Sequence, residues 1–209
     1  MIEPAALITV FTTLFVIIDP PGLVPVFIAL TRGMSAAHRR TLALRSIAVS
    51  AVLMVAFLLL GEKLLGAVGI TLPAFRVAGG VLLFLTALDM LFERRQERRS
   101  GHAEQEAAQP DHDPSVFPLA LPLIVGPGAI TTLILFAGQS DGAADLFAVA
   151  AVAAAILAIV FLAFLAAPSI ERILGAVGLN VVTRVLGMLL AALSVQFILD
   201  GLRGAGLTP

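Results

Sequence analysis

Long apolar blocks separated by short polar stretches dominate this chain. A helix that crosses a bilayer needs about 20 mostly apolar residues. Six blocks meet that length, at roughly 5–30, 43–65, 72–92, 117–138, 145–168 and 180–202. The pattern predicts an all-α, polytopic membrane protein with six transmembrane helices. The longest polar stretch, 93–115, divides a first three-helix unit (1–92) from a second (116–209) and reads as a cytoplasmic linker. The first block carries no basic n-region and runs through a proline-rich interruption, so it reads as a spanning helix and not as a cleavable signal.

Composition agrees. The 209 residues are 59% hydrophobic with a mean hydropathy of +1.05, and only 13% are charged, where soluble domains carry about 25%. The formal net charge of -1 offers no basic surface for nucleic acid. Cysteine is absent, which removes disulfides, thiol catalysis and cysteine metal sites. Tryptophan and tyrosine are absent too, so no aromatic belt marks the membrane interfaces.

Charge placement orients the chain. Arg32, Arg39, Arg40 and Arg45 fall in the first loop, Arg94, Arg95, Arg98 and Arg99 in the third, and Arg172 in the fifth. The other side has Lys63 and Arg203. The positive-inside rule then puts loops one, three and five in the cytoplasm and both termini outside it, in a prokaryotic inner membrane.

The two units resemble each other. Glu62-Lys63-Leu64-Leu65-Gly66-Ala67-Val68-Gly69-Ile70 matches Glu171-Arg172-Ile173-Leu174-Gly175-Ala176-Val177-Gly178-Leu179. Arg76 then aligns with Arg184, Gly79 with Gly187, Thr86 with Ser194, and Pro21-Gly22 with Pro127-Gly128. Three helices is an odd number, so the second unit enters from the opposite side and the two are expected to be inverted repeats.

Matching helix breaks sit in the first helix of each unit, so helices one and four are expected to be discontinuous. Asp19-Pro20-Pro21-Gly22 interrupts one and Gly126-Pro127-Gly128 the other. Proline removes a donor from the helix, and interrupted backbone is tolerated in a membrane only where protein buries it or a cavity hydrates it. Pro21 and Pro127 suit the first position of a new half-helix. The N–H groups of Gly22, Leu23 and Val24, and of Gly128, Ala129 and Ile130, are then candidates to hold an anionic group such as a carboxylate. Freed carbonyls suit an ammonium or a cation, so a zwitterion matches both sets.

Several side chains join this candidate site. Asp19 is the one acid in the first block, where a carboxylate costs about 2.5–3.5 kcal/mol on insertion scales. It is a candidate for coupling a proton or sodium ion, for holding a substrate ammonium, or for capping the half-helix at Pro21. Val125 stands at the aligned place, so a charge role is asymmetric. Thr131 and Thr132 follow the second break, within reach of a ligand or of the preceding turn of backbone. Thr12 and Thr13 are weaker candidates. Asp89 reads as interfacial, Gln196 as an interhelical hydrogen-bond partner, and Arg76 and Arg184 as snorkelling, gate or structural residues. Gly79, Gly80 and Gly187 permit close helix approach.

The segments Ile18-Asp19-Pro20-Pro21-Gly22-Leu23-Val24-Pro25-Val26-Phe27, Phe75-Arg76-Val77-Ala78-Gly79-Gly80 and Pro118-Leu119-Ala120-Leu121-Pro122-Leu123-Ile124-Val125-Gly126-Pro127-Gly128-Ala129-Ile130-Thr131-Thr132 resemble the MarC family of bacterial and archaeal inner-membrane proteins. The resemblance spans nearly the whole chain. It implies six helices, a link to the lysine-exporter superfamily, and small neutral amino acids such as glycine and alanine as substrates. The expected activity is secondary transport by alternating access, with no cofactor or metal and with a proton or sodium gradient as the energy source. Export of another small metabolite and a channel are the alternatives. No His-Glu-x-x-His and no Gly-x-Ser-x-Gly motif supports an enzyme.

Overall fold

A computed structural model describes residues 4–92, 94, 98, 113–140 and 142–207. Among these the chain is helical throughout. The elements are α1 (Pro4–Ile18), α2 (Pro20–Leu30), α3 (Ala36–Val68), α4 (Leu72–Leu91), a π-type segment (Ser115–Ile124), α5 (Pro127–Ala137), α6 (Ala143–Leu165) and α7 (Ala167–Gly204). Most of the expected linker, 93–115, lies outside the described residues.

Five helical stretches are long and apolar enough to cross a membrane, counting Ala6–Leu30 as one, and the π-type segment with α5 makes a bent sixth. Burial sorts them. The Ala6–Leu30 span is 72% buried, whereas the α3, α4, α6 and α7 spans are 28–33% buried. The interrupted first span thus lies inside the bundle. The others turn apolar residues outward, among them Val52, Leu85, Leu162 and Met188, as lipid-facing helices do.

Local chemistry sets the boundaries. Ser35 caps α3 by accepting from the His38 N–H at 3.3 Å, and Thr71 caps α4 by accepting from Ala74 at 3.4 Å. Gly69 ends α3 at φ 76, which lets the Ile70 N–H reach the Leu65 carbonyl at 2.9 Å. Because Ser35 starts α3 so early, Arg39, Arg40 and Arg45 lie on its first turns and not in a loop.

The fifth loop also differs from expectation. Residues on both sides of Gly175 in this stretch are helical, because α7 begins at Ala167, but the helix is kinked at Gly175, which leaves helical dihedrals. Gly175 has φ 59 and ψ 179, a conformation that needs a residue without a Cβ. Ile173 and Val177, on either side of it, are 80% and 79% exposed.

Small residues bring α4 and α7 together as an antiparallel pair. A Cβ on Gly80 would sit 2.8 Å from the Ser194 carbonyl oxygen, and one on Gly201 would sit 2.9 Å from the Pro73 carbonyl oxygen. A Cβ on Gly187 would lie 2.9 Å from the Met90 Cβ. Without apolar solvent exclusion inside lipid, such backbone approach is what associates helices. We expect Gly80→Ala to destabilise the protein by about 1–3 kcal/mol, as overpacking against backbone does. Gly66→Ala, where nothing lies within 4 Å, should be neutral or slightly stabilising. Thermal unfolding of both variants in detergent measures the difference.

Candidate functional site

The first break forms because Pro20 and Pro21 have no N–H for the carbonyls one turn back. Helix α1 makes its last bond from the Asp19 N–H to the Phe15 carbonyl at 2.9 Å. Asp19 then adopts φ 57 and ψ 65, a left-handed conformation that costs most L-residues roughly 1–2 kcal/mol and that Asp and Asn adopt most readily. Its carboxylate folds over the start of α2 and accepts from the Gly22 N–H at 3.1 Å. Thr183 of α7 donates to the same oxygen at 3.5 Å. Asp19 is fully buried. A Cβ on Gly22 would overlap this carboxylate, so the cap requires glycine there.

The second break is built without a side chain. The π-type segment is interrupted by extended residues at Phe117 and Leu121, and bonds five residues apart bridge it, from Leu119 N to Pro114 O at 3.2 Å and from Val125 N to Ala120 O at 2.9 Å. Cis peptide bonds precede Pro118 and Pro122. Gly126 then caps α5 in an extended conformation, and its carbonyl accepts from Ile130 at 3.0 Å. Gly128 and Ala129 therefore stand in the first turn, where N–H groups have no acceptor within the helix. The chain bends by 60° here.

A cleft of about 220 Å³ opens beside this second break. Its walls include Ile17, Thr86, Asp89, Arg98, Pro122 and Gly126–Gly128. Ile17 lies two residues before Asp19. A Cβ on Gly128 would sit 3.0 Å from both Ile17 Cγ2 and Leu83 Cδ2, so the two breaks are neighbours. Asp89 and Arg98 form an ion pair on the cleft wall. The wall thus offers main-chain donors, one hydroxyl, one acid and one base in a mostly apolar setting.

The sequence-predicted residues divide. Gly126, Pro127 and Gly128 line the cleft. Asp19, Pro20, Gly22, Leu23, Val24, Ala129, Thr131 and Thr132 are buried behind it, and Pro21 and Ile130 are half-buried, none of them on its wall. The hydroxyl of Thr132 is buried with no partner among the described residues, as is that of Thr13. Thr12 instead bonds the Ile8 carbonyl at 2.8 Å. The Thr131 methyl occupies the space that a Cβ on Gly79 would need. Arg76 is half-buried, Arg184 is exposed, and neither lines the cleft.

One expectation needs correction. Gln196 donates to Asp200 on its own helix at 2.8 Å, because both side chains fall on one outward face four residues apart. Asp89 is part of the cleft. It sits three residues after Thr86, on the same helical face, and that spacing was the signal available. Arg98 and Pro122 carried no comparable signal. Outside the spans, Arg45 pairs with Asp113 at 2.8 Å and ties α3 to the start of the bent span. Burial pushes the Asp113 carboxyl up, but hydrogen bonds with Ser115 and Arg45 and the Arg45 charge outweigh it and hold the group below its ordinary value. No group of three or more metal-ligating side chains occurs among the described residues.

The family model for MarC family integral membrane proteins matches residues 5–206. The chain belongs to the MarC family. Among MarC relatives, a UPF0056 membrane protein of Methanocaldococcus jannaschii is 37% identical over 198 residues, covering 95% of this chain and 96% of that one. One from Aquifex aeolicus is 38% identical over 194 residues (92% and 90%), and YhcE of Escherichia coli is 34% identical over 194 residues (93% and 90%). No solved structure matches this MarC protein. With its apolar spans, family membership makes it a multi-pass integral membrane protein.

The Asp19 cap yields a stability prediction. Asp19→Asn keeps an acceptor for Gly22 and tolerates the left-handed turn. Asp19→Ala and Gly22→Ala should each lose the cap, at a cost of about 0.5–2 kcal/mol or more. Melting in detergent should rank Asn well above both alanine variants.

Proposed function

We propose that this protein is a secondary transporter of small neutral amino acids, with glycine and alanine as the substrates, working by alternating access. The observation that carries the reading is the cleft where Gly126–Gly128 meets Ile17 and Asp89. A substrate carboxylate would take the N–H of Gly128 on the cleft wall, and its ammonium would meet Asp89 in place of Arg98. At about 220 Å³ the cleft is below the range of roughly 300–1,000 Å³ typical of drug-sized ligands. That favours a small solute.

The inverted-repeat reading belongs to the same proposal. Met90 and Ile198 are counterparts in the alignment that pairs Gly79 with Gly187. Met90 packs on Gly187, and Ile198 packs on Gly80, one residue from Gly79. Reciprocal contacts of this kind support a pseudo-two-fold axis between antiparallel halves. Asp19, inside the bundle, is the candidate for ion coupling, and the cleft mouth by Arg98 is the cytoplasmic one in the positive-inside reading.

Counterflow in proteoliposomes tests the proposal. Labelled alanine should exchange for unlabelled glycine or alanine and not for bulky amino acids. Asp89→Asn should slow exchange by about tenfold or more, the scale of a lost charge-assisted hydrogen bond. Asp19→Asn should fold but lose its response to a proton or sodium gradient. Dissipation of an ion gradient without exchange would favour the channel reading. The transporter reading ends if no amino acid exchanges and none stabilises the purified protein.

A further inference from the structure

A second cavity, of about 340 Å³, lies on the side of the molecule that carries Arg32, Arg45 and Arg172. It forms where the C-terminal end of α2, the first turns of α3, the last turn of α6 and the start of α7 converge. Phe27 and Phe164 stack with ring centroids 4.3 Å apart and make one wall. Arg39 and Arg40 make the polar side.

Charge here is unbalanced. Among the described residues no acid lines the cavity, and none occupies the first turn of α3. Both arginines sit near the positive end of the α3 dipole, an unfavourable place for a cation. A second helix N-terminus, that of α7, reaches the same cavity through Ala167 and Pro168, and no side chain caps it. The Nε of Arg39 is buried and has no hydrogen-bond partner among the described residues. A buried donor left unpaired costs about 1–3 kcal/mol, more when charged. Such an arrangement is stable when an anion completes it.

The apolar half of the cavity indicates what carries the anion. Leu165, on its wall, is 46% exposed on the outward surface of the bundle. A ligand with its anionic head on Arg39 and Arg40 would lay an alkyl chain over Phe27, Phe164 and Leu165. Basic pockets between transmembrane helices near the cytoplasmic surface take anionic lipid headgroups. We propose that this cavity binds the phosphate of an anionic phospholipid from the surrounding leaflet, through Arg39, Arg40 and the N-terminal turns of α3 and α7. The site is separate from the transport cleft and does not depend on its function.

Delipidated full-length protein in neutral detergent tests the assignment. The probes are phosphatidylglycerol, phosphatidylcholine of the same acyl chains, and inorganic phosphate, with lipid retention read by native mass spectrometry and by thermal shift. Phosphatidylglycerol should be retained and should raise the melting temperature, while phosphatidylcholine and inorganic phosphate should do neither. The R39Q/R40Q variant should lose retention at least tenfold, and Arg32→Gln, exposed and off the cavity wall, should bind as the parent does. If the double variant is not monodisperse, Arg40→Gln alone is judged by the same loss of retention. Equal retention of phosphatidylglycerol by the arginine variant and the parent overturns the site. So does equal binding of phosphatidylcholine, and saturation by inorganic phosphate would make it a free-phosphate site instead.

Discussion

One carboxylate, cut off from water and folded over a glycine, holds the first span at the point where its helix stops. Hydrocarbon supplies no hydrogen bonds, so a helix that ends inside a membrane protein must find its partners internally. Pro20 and Pro21 end the ladder of α1, and Asp19 restarts it as α2 by accepting from Gly22 at 3.1 Å. The left-handed turn at Asp19 and the missing Cβ at Gly22 are two halves of one device. Because this span is far more buried than those of α3, α4, α6 and α7, those helices pack around that joint.

The second break solves the same problem differently. It uses no acid. Gly126 caps α5 through its main chain alone, the preceding turns are interrupted by extended residues at Phe117 and Leu121, and the chain bends by 60°. The first joint is therefore filled by its own side chain, whereas the second leaves its main chain facing open space. That asymmetry puts the cleft on one break and not the other, and it recruits Asp89 and Thr86 from α4 to supply what the second break lacks.

Much of this was legible in the residues. Apolar block length marked the candidate spans, and the Pro-Gly steps marked where Asp19 leaves helical dihedrals and where the other span bends. Gly79, Gly80 and Gly187 marked where helices touch. What was not legible follows from three-dimensional placement. Asp19 carries the charge, yet its own cap consumes it and seals it from the cleft. The place of Asp89 near the end of α4, beside the arginine cluster, was legible, but its place on the cleft wall was not, because sequence distance to the helix end says nothing about which neighbour it faces. The helical first turns of α7 were hidden because Gly175, which reads as a loop residue, breaks the helix at a single position and not over the length of a loop.

The half-helix that starts at Pro127 has a further consequence. Past Gly128 it continues through Ala129, Thr131 to Leu135 and Ala137, all buried, with Phe136 edge-on to Phe197 at 6.2 Å and Leu72 pressed against Gly138. Behind the Gly128 wall of the cleft the rest of α5 is thus a plug of packed, mostly apolar side chains, and a solute crossing the molecule by this route would have to displace it.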